Sequence, residues 1–297
     1  MELQCEDLPQ YGLSLIPSSS PDYDALLADI QQRQAHPVEG APFVPERYRP
    51  TISDADRETS AILINRSKKA IAQMEAVWRF DTEAGGSYRH AFGMLPGRLL
   101  RPFGASEESL KLDGYWDVIL PGSKRYLSDG KIVGDNTDVS PPGPGEKVQG
   151  GGGGGVGGTR SGRVPIRQVT LVLDGVFFAD GEFVGPNREG LWELTVSDAE
   201  AHMQVAKIAR EGHDNGLPPD QIVAAVARLT GPVPEHTPMH PGLRGTGASM
   251  EEYRQRALQN LAFQIGLMRQ SPSSSDERQV DMLMGWTKAV LPQFRRG

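Results

Sequence analysis

The chain has 297 residues and a formal net charge of −7, with a single cysteine and no intrachain disulfide. Residues 1–60 carry eleven acids against four bases, which accounts for the whole net charge. Nucleic-acid binding needs a basic face that neutralises phosphates; no basic run occurs, so nucleic acid is disfavoured as a partner.

Apolar residues make up 38% of the chain, and Gly and Pro number 35 and 23, an excess that suits turns and irregular loops. No stretch approaches the ~20 apolar residues of a membrane span. The N-terminus lacks the basic-then-apolar layout of a signal peptide. With the lone Cys5, these features lead us to expect a cytoplasmic chain without a membrane partner, an exported mature form being the alternative.

Residues 1–56 read as an acidic arm with one short helix. Ser20 and Pro21 open a helix over residues 20–34, with Tyr23, Leu26, Leu27 and Ile30 on one side. Pro37, Pro42, Pro45 and Pro50 make residues 35–50 extended.

Strand signals begin at Glu58–Asn65. Residues 70–81 alternate imperfectly, which predicts a bulge, with Ile71, Met74 or Ala76, Trp78 and Phe80 on a buried face. Further strands are expected at 115–120 and in a hairpin over 124–133 turning at Asp129-Gly130. Residues 134–163 hold six consecutive glycines and several prolines and read as a flexible insert. The clearest strand follows at Val164–Phe178, turned by Ala179-Asp180-Gly181 and returned by Glu182–Val184. Trp78, Phe80, Leu171 and Leu173 are the expected core.

Beyond Asn187 the period becomes helical. Ser197-x-x-Glu200 predicts a capped helix over 198–211 ending at Gly212. Residues 219–229 form the next helix. Ser249-x-x-Glu252 opens another, with Tyr253, Ala257, Leu261, Ile265 and Met268 on one face; Ser274-x-x-Glu277 opens a last helix over 275–291. The final two are expected to pair as an antiparallel hairpin. The fold class is therefore α+β: a β-sandwich-like domain over 57–189, then a helical subdomain over 190–297.

No pattern in the sequence assembles a recognisable reaction centre. His236 and His240 are four apart, but Pro238 and Pro241 oppose the helix that would align them on a metal. Asp135–Asp138 lacks the glycine and terminal glutamate of a calcium loop. Asp174 interrupts an apolar strand, and Gly175 after it points to a bulge or an outward position. Cys5 has no histidine nearby in sequence. The glycine run lacks the lysine and context of a phosphate loop. Asn65-Arg66-Ser67 fits the glycosylation sequon. Trp78, Trp116, Trp192 and Trp286 lie in expected elements and read as core. We therefore expect no catalytic, cofactor-binding or metal-ligating residue and no cofactor.

The run from Leu173 to Asn187, LDGVFFADGEFVGPN, resembles a segment of uncharacterised bacterial proteins. In those, a sandwich-like β region with an N-x-S-x-K-x-I turn precedes it, matched here by Asn65, Ser67, Lys69 and Ile71. The region is also similar in spacing to immunoglobulin-like sandwiches, without their Cys…Trp…Cys mark. This resemblance implies a fold and no activity. The favoured function is a non-catalytic interaction or binding module, acting through protein or ligand contacts, the ligand being unknown. The alternatives are a hydrolase whose site is assembled from distant residues, and a structural component of a larger assembly.

Overall fold

The structure, a computed structural model, describes residues 3–35, 57–94, 103, 118–128, 165–235, 243, 245–270, 275–285 and 293–297. The chain divides into two compact units: residues 1–98, 105–187 and 295–297 in one, residues 99–104 and 188–294 in the other. The fold is α+β, with antiparallel sheets in the first unit and helices concentrated in the C-terminal half.

Among the described residues, the β unit holds nine strands and one α-helix: β1 (Leu3–Glu6), β2 (Leu13–Pro17), α1 (Tyr23–Ala35), β3 (Ala61–Asn65), β4 (Ile71–Thr82), β5 (Ser87–Met94), β6 (Lys124–Leu127), β7 (Ile166–Phe178), β8 (Glu182–Val184) and β9 (Arg295–Arg296). One sheet runs β2-β3-β6, all antiparallel. The other runs β5-β4-β7-β8-β9. β7 is long enough for its outer edge to be shared: β1 pairs in parallel at Val169–Val172, and β8 pairs antiparallel at Val176–Phe177.

Both sheets contribute to one core. Leu13 and Leu15, Ala61 and Leu63, Met74, Ala76, Trp78 and Phe80, and Leu171 and Leu173 are all buried in it. The expected core residues are thus found there. Alternate residues of β3 serve a second core: Ile62 and Ile64 pack on Tyr23, Leu27 and Ile30 of α1. Burial on both faces explains why AILIN reads as an unbroken apolar run and not as alternation. Lys124 of β6 pins α1 through Asp29 at 2.5 Å.

The imperfect period of β4 has the expected cause. Its pairing with β7 shifts register at three places, one between Glu75 and Ala76, where Asp174 is the extra residue. Several elements differ from the sequence expectation. β1 and β2 lie in a stretch that reads as an acidic arm, because each is too short to show a period. β5 was not expected; its SYRHAFGM is too polar to announce a strand, and it is held by pairing along β4. Residues 118–120 form an isolated bridge, Ile71 with Ile119, and not a strand. Residues 36–56, 115–117 and 129–164 lie outside the described residues, and with them the expected extended run beyond residue 35, half of the 115–120 strand, the 129–130 turn and the insert.

The helical unit contains α2 (Leu191–Asp214), α3 (Pro219–Thr230), α4 (Met250–Arg269) and α5 (Asp276–Gly285). Its core joins Ala201, Val205 and Ala209 to Ile222, Val226, Ala257, Leu261, Ile265, Val280 and Leu283. The cap expected at Ser197 is not one. α2 starts six residues earlier, and the buried Ser197 donates its hydroxyl across to the Met250 carbonyl at 3.4 Å. β-branched Thr195 and Val196 hide this first turn from a propensity reading. Gly212 is likewise inside the helix, where a Cβ would sit 2.8 Å from Ile222 Cγ1; it is glycine because α3 crosses closely there. The box at Ser249 and Glu252 forms as expected, with the carboxylate accepting from Ser249 N at 2.7 Å. α5 is capped by Ser275, one residue later than expected, whose Oγ accepts from Arg278 N at 3.3 Å. Among the described residues, α4 and α5 do not pair as a hairpin; both pack on α2 and α3.

A candidate strand-docking site

A connected polar cluster of the β unit lies where two turns meet at the outer edge of β8. The first turn joins β3 to β4. Its centre is Asn65, fully buried, whose amide nitrogen donates to Lys69 O at 2.8 Å and Ile119 O at 2.9 Å. Its Oδ1 accepts from Ser67 N at 3.1 Å and Ser67 Oγ at 2.6 Å. Both amide hydrogens and the carbonyl are thus engaged, and the turn delivers Lys69 in a fixed position. Ala179 N donates to Ala70 O at 2.9 Å and ties this turn to the next.

The second turn joins β7 to β8. Gly181 takes a φ of 85°, which a side chain would resist. Asp180 Oδ1 accepts from Glu182 N at 3.1 Å, an Asx turn that leaves Oδ2 pointing outward. Lys69 Nζ reaches Asp180 Oδ2 at 2.6 Å and also pairs with Glu182. It lies 5.6 Å above the Phe178 ring.

The third component is β9. It pairs in parallel with β8, Glu182 facing Arg295 and Phe183 facing Arg296. Arg295 N donates to Gly181 O at 3.2 Å and Gly297 N to Phe183 O at 2.8 Å. Arg295 Nη2 donates to Asp180 Oδ2 at 2.9 Å, and its Nη1 to the Asp180 carbonyl at 3.4 Å. Gly297 approaches so closely that a Cβ would lie 2.7 Å from Glu182 Oε1 and 3.2 Å from Val184 Cγ1.

The electrostatics follow the contacts. Partial burial works to raise the Asp180 pKa, but hydrogen bonds from Lys69, the Glu182 amide and Arg295 outweigh it and hold the carboxyl below its usual value. Partial burial works to lower that of Lys69, and the two carboxylates outweigh it and hold the ammonium above its usual value. Asp180 and Lys69 therefore both stay charged across the neutral range. It can bind a cation and present main-chain carbonyls to an extended segment.

The residues weighed from sequence fall elsewhere. Asp174 is buried at the bulge, and with Gln73 and Glu75 it is among the buried polar residues of β4 and β7. Cys5 is half-buried; burial, then the charge of Asp7, pushes its thiol up to about 12, so it is protonated at neutral pH. The sequon residue Asn65 is buried, with its amide fully engaged. Trp78 is core and donates Nε1–H to Thr59 O at 2.7 Å; Trp192 is partly buried. His236, His240, Asp135–Asp138, Trp116 and Trp286 lie outside the described residues.

In the helical unit, Asp198 and His202 are one turn apart on α2, and His202 Nδ1 lies 2.7 Å from the Asp198 main-chain oxygen. Burial pushes the Asp198 carboxyl up to about 7 and the His202 imidazole below its usual value. Among the described residues there is no group of three potential metal ligands, and no helix is long and apolar enough to cross a membrane.

Sequence reasoning passed over Lys69, Asp180, Glu182, Arg295 and Gly297 as a site. The N-x-S-x-K turn and the Asp-Gly-Glu turn were legible as turns, but nothing local links either to residues 295–297. No protein-family model matches the chain, and searches for similar curated proteins and solved structures find no match.

Proposed function

We propose that the chain is a non-catalytic interaction module that holds an extended segment on the outer edge of β8. One observation carries this: Arg295–Gly297 is bound there as an added strand, by main-chain hydrogen bonds and an ion cluster together. Strand addition to a sheet edge is a general mode of peptide recognition, with backbone pairing supplying affinity and side-chain contacts supplying selectivity.

The scaffold reading is of an immunoglobulin-like sandwich. β2-β3-β6 has the pairing of strands A-B-E, and β5-β4-β7-β8 that of C′-C-F-G. The buried Trp78 on β4 stands where such sandwiches carry a tryptophan on strand C. This supports the architecture by analogy; the function rests on the edge itself.

The test is a display selection of random extended peptides against the full chain carrying Arg295→Glu, which repels its own segment from Asp180. Peptides that bind this chain, and are lost when Asp180→Lys and Glu182→Lys are added, support the role. Failure to enrich any peptide sensitive to those two changes would sink it.

A further inference from the structure

The docked strand and the sheet each bring a cation to the same two oxygens. Arg295 Nη2 lies 2.9 Å from Asp180 Oδ2 and 3.8 Å from Glu182 Oε2. Lys69 Nζ takes Asp180 Oδ2 at 2.6 Å and also pairs with Glu182 Oε2. Without Arg295, the edge sets two carboxylates against one ammonium, a formal charge of −1; with Arg295 the charges balance.

Lys69 and Asp180 are placed by separate turns. Asp180 Oδ1 accepts from Glu182 N at 3.1 Å, a contact that aims Oδ2 outward and needs no cation. Lys69 follows the turn built on Asn65 and lies 5.6 Å above the Phe178 ring. Lys69 is thus not what aims Asp180 at the strand, and two like charges that share an oxygen repel one another.

We propose that Lys69 sets how tightly the β8 edge holds a docked strand: it stands where a second strand cation would stand, cancels one of the two carboxylate charges, and keeps the segment exchangeable. This rests on the strand-docking role above. It matches the edge to an extended segment that presents a single cation to Asp180 and Glu182. Removing the Lys69 charge leaves both carboxylates to Arg295, so docking tightens. The charges are partly exposed, which limits the gain to about two- to fivefold.

The experiment reads hydrogen exchange of the Gly297 amide, which donates to Phe183 O at 2.8 Å, in full chains carrying Lys69→Met, Lys69→Gln or Lys69→Arg. Protected amides in β4 and β7 confirm that each is folded. We expect Gly297 protection to rise about two- to fivefold in Lys69→Met and Lys69→Gln at about 50 mM salt, and the gain to fade at about 500 mM. Lys69→Arg keeps the charge and should match the native chain. In a chain that already carries Arg295→Met, Lys69→Met should bring no gain, since no strand cation remains to respond. A residue that only braces the turn would lower protection in both backgrounds and at both salt concentrations. That result, an unchanged protection, or a gain that persists with Arg295→Met overturns the proposal and leaves strand docking standing. A Gly297 amide that is unprotected in the native chain overturns both.

Discussion

Lys69 and Arg295 donate to the same atom, Asp180 Oδ2, at 2.6 Å and 2.9 Å. One cation arrives from the β3–β4 turn and the other from the far end of the sequence, so a single carboxylate oxygen joins three separate stretches of chain. The Asp180 pKa is depressed, so its contribution is present above the ordinary carboxylate value of 3.8 and is lost as pH falls through the folded value below it. The Lys69 pKa is raised, so its contribution is present below 10.5 and is lost as pH rises through the folded value above it. Docking of residues 295–297 should therefore be flat in pH across the neutral range and weaken with salt. The pairs are partly exposed and worth about 0.2–1 kcal/mol each. Backbone relaxation of Gly297 measured by NMR between about 50 mM and about 500 mM salt checks this; rigidity unchanged by salt would contradict it.

Leu171 is fully buried opposite Trp78 in the core shared by both sheets. Leu171→Ala removes three heavy atoms from a site closed on all sides. The expected loss is about 2–5 kcal/mol in denaturant unfolding. A loss under about 0.5 kcal/mol, the size of a surface substitution, would place Leu171 outside the core.

Asn65→Ala removes the side-chain amide that donates to the Lys69 and Ile119 carbonyls and the carbonyl that accepts from Ser67 N and Oγ, and so frees the turn that carries Lys69. Unfolding in urea should show a loss of about 1–3 kcal/mol, and Lys69→Ala should add less in this background than in the native chain. Fully additive effects would show that the turn does not position Lys69. The same burial predicts that the folded chain is not glycosylated at Asn65.

Much of the β unit was legible because its signals are local. The strand over Ile166–Phe178 and the buried set on β4 follow from β-branched runs and from alternation broken by a bulge. The Ser249 box was legible because both of its partners lie within one turn. What stayed hidden depends on distant chain: β1 is a strand because Val169–Val172 offers it an edge, and Ser197 is interior because the helix begins before its β-branched pair. The site was hidden for the same reason. Arg295 follows the helical region in sequence, and only the fold brings it to Asp180.

The Asp198 carboxyl, raised by burial from 3.8 to about 7, gives a pH dependence of opposite sign to that of Asp180. The folded state binds this proton more tightly than the unfolded state, so the contribution is fully present below 3.8 and is lost as pH rises to about 7. Asp198→Asn cannot ionise and escapes the loss. Relative to the native chain, it should gain up to about 4 kcal/mol on going from pH 4 to pH 8. Urea midpoints of both proteins at the two pH values check this. His202 is present in both and its Nδ1 faces the Asp198 main-chain oxygen, so its own titration cancels from the difference. An unchanged difference would show that the carboxyl ionises as readily as in water.

The claim that residues 295–297 dock on β8 through the ion cluster is tested most directly by hydrogen exchange of the Gly297 amide, which donates to Phe183 O at 2.8 Å. In the native chain this amide should exchange at least about tenfold more slowly than in an unstructured peptide. In the chain carrying Asp180→Asn and Glu182→Gln it should exchange at the unstructured rate, while amides of β4 and β7 keep their protection. A Gly297 amide that exchanges equally fast in both chains, or is equally protected in both, would contradict the account.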